Sequence, residues 1–200
     1  MRIAYTKTGI QLEKELNFLD KLVIDFSCIL NTHKIKYVIV SGYISILFGR
    51  SRTSEDIDII VENIDFEKFD KLWNDINNSG FECINAADAK DAYGEYLSNG
   101  SPIRFSRKNR FIPNIEFKFP KVDLDLWVLS ERKEVILNGN KLFISPLELQ
   151  IAFKLYLGSE KDIEDARYIY RLFEDKINIE LLQEFNRKLK VESLFNNYLR

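Results

Sequence analysis

YVIVSGYISILFGRSRTSEDIDIIVE, residues 37 to 62, is the stretch whose reading decides the fold. Tyr37 to Val40 is an uninterrupted apolar run of strand length, and Ser41-Gly42 supplies a turn. A short helix follows to Gly49, then a basic loop with Arg50 and Arg52, then a second strand from Asp56 to Val61. Successive side chains of a strand point to opposite faces, so Asp56 and Asp58 share one face and Ile57 and Ile59 take the other. Two carboxylates therefore stand side by side at the start of a strand, facing a glycine turn.

Working outward on the amino-terminal side, Leu12, Leu16, Leu19, Val23, Phe26 and Leu30 recur at helical spacing, which predicts one amphipathic helix from about Gln11 to Asn31. On the carboxyl-terminal side, Asp65 is placed to cap a helix over residues 66–78 that Ser79-Gly80 closes. Strands are expected at Phe81 to Ile84, Ile103 to Phe105, Ile115 to Phe119 and Val122 to Leu126. Val135 to Leu137 and Leu142 to Ile144, joined across Asn138-Gly139-Asn140, read as a hairpin. Ser145-Pro146 opens a helix, with Ser145 as the expected cap and Glu148 as its capping-box acid. The rest is helical by period. The fold class is α+β: a mixed sheet with helices on one face over residues 1–144, then a helical subdomain over residues 145–200.

The 200 residues carry 46% hydrophobic and 13% aromatic side chains, a globular composition large enough for a sizeable core. A net charge of −2 gives no general basic field for nucleic acid, so such a partner would need a local patch. Arg104, Arg107, Lys108 and Arg110, interleaved with Phe105 and Phe111, are the segment that offers one. Cys28 and Cys83 lie far apart and fit no metal-ligand spacing, which is consistent with a reduced, cytoplasmic setting. The start of the chain has no signal-peptide pattern and no run approaches a membrane span, so no membrane partner is expected.

Acids two apart on one strand face lie roughly 6 to 7 Å apart at the backbone, close enough to share cations. Oxygen ligands select Mg²⁺ or Mn²⁺, and with His33 the only histidine, histidine-rich zinc sites are excluded. The tetrapeptide DIDI alone reads more readily as the wet face of an edge strand. Its neighbours argue for more. Backbone N–H groups at the Gly42 turn can hold phosphate oxygens, and Arg50 and Arg52 bring cationic forks to the same place. A third acid on a later strand, either Glu116 or one of Asp123 and Asp125, would complete a cluster that a divalent cation compensates.

Val40-Ser41-Gly42-Tyr43, the twelve residues Ile44 to Glu55, and Asp56-Ile57-Asp58-Ile59 resemble the signature of the DNA polymerase β-like nucleotidyltransferase superfamily. Arg50, Arg52, Thr53, Ser54, Asp56 and Asp58 look most like the minor nucleotidyltransferases and the AbiEii-type toxins of toxin-antitoxin systems. NIEFKF around Glu116 is similar to that type's third-acid strand, and SPLELQIAFKLYLGSEKDIEDARYIY to its helical segment, which brings Lys154, Lys161, Asp162 and Asp165 into correspondence. The matches span about residues 37 to 170.

The resemblance implies an Mg²⁺-dependent transfer of a nucleoside monophosphate from a nucleoside triphosphate to an acceptor hydroxyl, on an RNA or tRNA end or a protein, with an antitoxin as a further partner. It makes Asp56, Asp58 and Glu116 the metal ligands. Ser41, Gly42, Tyr43, Arg50, Arg52, Thr53 and Ser54 become the nucleotide-binding residues. Lys154 becomes a phosphate contact, with Lys161, Asp162 and Asp165 in support. Tyr43 departs from the family's Gly or Ser, and a ring there is expected to narrow the phosphate turn. Two other readings use the same residues: a catalytically silent nucleotide-binding or antitoxin-like relative, and an RNA-binding module led by residues 104–110.

Overall fold

A computed structural model describes residues 1–6 and 9–199. The quoted stretch forms β3 (Tyr37–Val40), α2 (Gly42–Leu47) and β4 (Asp56–Val61), preceded by β1 (Arg2–Tyr5), β2 (Gly9–Glu13) and α1 (Phe18–Thr32). Beyond it come α3 (Phe66–Asn78), β5 (Phe81–Cys83), α4 (Ala89–Asp91) with irregular helical turns to residue 99, β6 (Ile103–Arg107), β7 (Asn114–Lys118) and α5 (Asp123–Glu131). The hairpin β8 (Lys133–Leu137) and β9 (Asn140–Ile144) leads into α6 (Leu147–Leu157), α7 (Glu160–Phe173), α8 (Ile179–Leu189) and α9 (Glu192–Tyr198).

Among the described residues the strands form one mixed sheet in the order β1-β2-β8-β9-β3-β4-β7-β6-β5. The centre decides the site. β4 runs antiparallel to β3 and parallel to β7, and β6 runs antiparallel to β7. One face of these strands is apolar: Ile57, Ile59, Ile115, Phe117, Ile103 and Phe105 are fully buried, with Phe26 of α1 and Phe69 of α3 closing over them. Ring centroids 5.6 Å apart for Phe26 and Phe105, and 6.2 Å for Phe69 and Phe117, show tilted packing within the aromatic cluster. Because the side-chain period is two, that burial turns Asp56, Asp58, Glu116, Lys118 and Arg104 to the opposite face.

Several expected elements hold. Asp65 caps α3 by accepting the Lys68 N–H at 2.8 Å. Asn138 and Gly139 both adopt positive φ, 46° and 83°, as a tight hairpin turn demands. Three expectations are corrected. Residues 9–13 are a strand, because Ile10 and Leu12 are buried while Gln11 and Glu13 face solvent, and α1 begins only at Phe18, capped by Asn17 and Asp20. Residues 122–126, which alternate like a strand, open α5 instead: the Asp125 carboxylate accepts the Lys121 and Val122 N–H groups at 2.8 and 3.2 Å and so fixes a helix start. Ser145 does not cap α6. It is buried with its hydroxyl on the Pro146 carbonyl, and Glu148 accepts the Asn178 N–H at 2.9 Å, tying α6 to the start of α8.

Candidate active site

The register β4–β7 sets Asp58 opposite Glu116 and Asp56 opposite Asn114. The next register, β6–β7, sets Arg104 opposite Glu116. Three carboxylates and two cations thus share one patch. Arg104 donates to Glu116 Oε2 at 2.6 Å and lies 3.9 Å from Asp56, while Lys118 lies 3.4 Å from Glu116 and 3.9 Å from Asp58. Asp56 is the open member of the group, with 42% of its side chain exposed against 20% for Asp58 and 14% for Glu116. Burial pushes the Asp58 carboxyl up to about 6; Lys118 opposes this, and the charges of Glu116 and Asp56 add to it.

The glycine turn faces this patch. Ser41 has φ 64° and ψ −139°, a backbone conformation that costs a non-glycine residue on the order of 1–3 kcal/mol. Gln150 of α6 holds it there from both sides, donating to the Ser41 carbonyl at 2.7 Å and accepting the Ser41 N–H at 3.2 Å. A side chain at Gly42 would collide with Arg52: an added Cβ would lie 2.0 Å from Arg52 Nη2 and 3.7 Å from Ser54 Oγ. Glycine here leaves room for the guanidinium, which any larger side chain would have to push aside. Ser54 in turn donates to the Asp56 carbonyl at 3.0 Å, which ties the loop to the first acid, and Thr53 is exposed. α2 has only six residues, so few aligned peptides support its start.

Arg52 is the anion-ready group at the turn. Its side chain is only 9% exposed, and its Nε and Nη1 donors are buried without a hydrogen-bond partner. Asp165 of α7, fully buried, lies 3.6 Å from Arg52 Nε and also pairs with Arg50. Arg50 donates further to the Lys161 carbonyl, so position 161 contributes its backbone while its side chain stays exposed. Lys154, 3% exposed, bonds Asp162 at 2.5 Å and lies 3.1 Å from Asp165 Oδ2. Burial pushes the Asp162 carboxyl up, but hydrogen bonds from Lys154 and Ser159 outweigh this and hold it below its ordinary value.

The structure therefore brings Asp56, Asp58 and Glu116 together and sets Gly42, Arg52 and Ser54 beside one another at the turn. Lys154 is placed one layer back, under the arginines, as a partner of Asp162 and Asp165. Asp123 is exposed at the start of α5, and Asp125 is occupied in capping that helix. Tyr43 is corrected most clearly: its ring is fully buried and its hydroxyl donates to Asp20 at 2.8 Å, so it narrows nothing in the turn. Two cations of the patch, Arg104 and Lys118, were not among the expected site residues. Arg104 belongs to the basic segment, but strand alternation divides that segment. Arg104 faces the acids, whereas Arg107 points to the other face, over the Phe81 ring at 4.1 Å and paired with Asp25. Arg104 is thereby separated from Arg107.

A mixed sheet whose central strands present acids beside a glycine turn, with helices completing the carboxyl-terminal region, is the nucleotidyltransferase-like fold. Solved structures agree. An antigenic nucleotidyltransferase-like protein from Paracoccidioides brasiliensis matches with a TM-score of 0.54 and 19% identity over 90% of each chain. ANT(2'')-Ia in complex with adenylyl-2''-tobramycin matches at 0.50 and 15% identity, covering 84% of this chain and 97% of that one. The solution structure of the antibiotic-resistance factor ANT(2'')-Ia matches at 0.52 and 11% identity, covering 88% and 94%. No protein-family model matches the sequence, and no curated protein does.

Among the described residues, no three acidic, histidine or cysteine side chains converge closely enough to cage an ion. The donor chemistry fits a hard divalent cation nonetheless. The set is all oxygen, its three acids outnumber the two cations beside them, and the Asp58 carboxyl is raised by burial and then by the charges of Glu116 and Asp56, a repulsion that a bound cation would relieve.

Proposed function

We propose that this protein transfers a nucleoside monophosphate from a nucleoside triphosphate to an acceptor hydroxyl. The observation that carries this reading is the register that lines Asp56, Asp58 and Glu116 on one face of two adjacent strands, beside the Gly42 turn. Asp56, Asp58 and Glu116 would hold Mg²⁺ or Mn²⁺. When bound, that ion supplies charge neutralisation on the reacting phosphate and lowers the acceptor hydroxyl's pKa. Glu116 accepts the acceptor's proton at its carboxylate, and Arg104, already bonded to it, keeps that carboxylate oriented. The unpartnered donors of Arg52, with Arg50 beside them, neutralise the triphosphate and the departing pyrophosphate. Asp165, itself braced by Lys154, holds both arginines in place. The turn at Gly42 and Tyr43 contributes backbone N–H groups, with Ser41 held in its conformation by Gln150, and Ser54, next to exposed Thr53, ties the loop to Asp56.

Arg104 and Lys118 balance much of the acid charge on the open side, which suits an acceptor that is not a polycation: an RNA or tRNA end, or a protein hydroxyl. The Arg50 to Asp58 pattern and the Lys154 to Asp165 segment support placement with the AbiEii-type branch, hence a cytoplasmic toxin with an antitoxin partner, and residues 145–200 as a helical subdomain. The test is incubation with labelled nucleoside triphosphates, Mg²⁺ and total RNA or protein. Label transferred by the native chain and lost with both Asp56→Asn and Asp58→Asn is the expected result. Tight triphosphate binding without transfer would favour the silent relative.

A further inference from the structure

A cavity of about 270 Å³ opens beside the acids, between the sheet, α5 and α6. Ser41 of the glycine turn and Asp58 of the acid patch both line it, so it continues directly from the phosphate site. Its walls are mainly apolar, built from Ile60, Leu124, Val128 and Leu149 with Phe153 at 37% exposure, and interrupted by Asp125, Ser145 and Gln150. The Phe153 ring stands 5.9 Å from that of Tyr156, itself 58% exposed, which extends the aromatic surface outward along α6. The volume lies just below the roughly 300–1,000 Å³ usual for small-molecule sites, enough for one ring system and not for a stacked oligonucleotide.

Most polar groups on these walls already hold protein partners. The Gln150 amide bonds both sides of Ser41, the Ser145 hydroxyl is on the Pro146 carbonyl, and Asp125 accepts the Lys121 and Val122 N–H groups. Lys118 is engaged by Glu116 and Asp58 at the open end. A base entering here would meet mostly hydrocarbon and an aromatic face.

Resting on the nucleotidyl-transfer reading, we propose that this cavity seats the base of the nucleoside triphosphate and admits it by shape and stacking instead of edge hydrogen bonds, so that the four bases bind alike. A pocket built to hydrogen-bond its ligand rejects an analogue by a factor of roughly 10⁴ to 10⁵, whereas an apolar pocket discriminates by only about 10 to 200. Aromatic faces stack every base.

Calorimetry of the full chain with ATP, GTP, CTP, UTP and inorganic tripolyphosphate, each with Mg²⁺, tests this. The four nucleotides are expected to fall within about tenfold of one another in Kd. Leu124→Trp, which fills the cavity, is expected to weaken all four by roughly tenfold or more. Phe153→Ala, at a half-exposed position that folding tolerates, is expected to weaken them several-fold, and neither variant should change tripolyphosphate binding. A preference above about 200-fold for one base, or nucleotide binding unchanged in both variants, overturns the proposal and leaves the transferase reading standing. If neither nucleotide nor tripolyphosphate binds, both readings fall together.

Discussion

Two charge clusters lie within this protein, and they are built alike but resolved differently. On the sheet, Asp56, Asp58 and Glu116 meet Arg104 and Lys118; behind the glycine turn, Asp162 and Asp165 meet Lys154, Arg50 and Arg52. In the first, several contacts are near 3.9 Å, Asp56 is 42% exposed and Asp58 has a raised pKa. In the second, Asp165 and Lys154 are buried and Asp162 is held below its ordinary value. The comparison teaches that acid-base composition does not distinguish an open acid patch from a buried brace. What distinguishes them is how far each charge is exposed and matched: Asp56 stays open on the sheet, whereas Asp165 and Lys154 are buried against each other and leave the Arg52 donors as the incompletely matched part of their cluster.

The comparison breaks most sharply at Asp58. Asp58→Asn is expected to lower the transfer rate by on the order of 10³-fold or more, read with labelled nucleotide. It should also stabilise the metal-free protein. Asp58 titrates near 6 in the folded chain against 3.8 as the ordinary value, so between those pH values the native state binds more protons than the unfolded one. Stability contributed by this group is therefore greatest below about 4 and falls as pH rises through 6. Asp58→Asn should remove that fall and gain about 1–3 kcal/mol at pH 8, measured by urea unfolding in EDTA. A loss of stability at pH 8 would mean that the acid patch is a brace after all.

The buried cluster should answer in the opposite sense. Asp165→Ala strands Lys154, Arg50 and Arg52 in a dry environment and is expected to cost about 3–5 kcal/mol in urea unfolding, with Asp165→Asn costing less. Tyr43→Phe removes one partner of buried Asp20, which keeps Lys14 at 2.9 Å, so about 1–2 kcal/mol should be lost with transfer unaffected. A large activity loss there would return Tyr43 to the site. The smallest effect sharpens the contrast: Lys118 holds the Asp58 pKa down, so Lys118→Met should move the rising limb of the pH–rate profile to higher pH.

Local chemistry made much of this legible. The acids at 56 and 58 and the glycine at 42 follow from one short spacing, the Asp65 cap and the Asn138-Gly139 turn from single residues, and the helical character of the chain after Ser145 from its apolar period. Where two periods fit one segment, the sequence was ambiguous. Residues 9–13 and 122–126 satisfied both helix and strand patterns, and pairing with β1 and β8 decided the first while a backbone cap decided the second.

By itself, then, the sequence determined the glycine turn, the paired acids and the faces of β4, because turn conformation and strand alternation are properties of consecutive residues. Tertiary structure alone decided that Arg104 and Lys118 join the acids, that Lys154 sits beneath the arginines and that Tyr43 points into the core. Those outcomes depend on which strands become neighbours and which face is buried, and strand order across β4, β7 and β6 is fixed by the burial of a shared aromatic core that no single segment encodes.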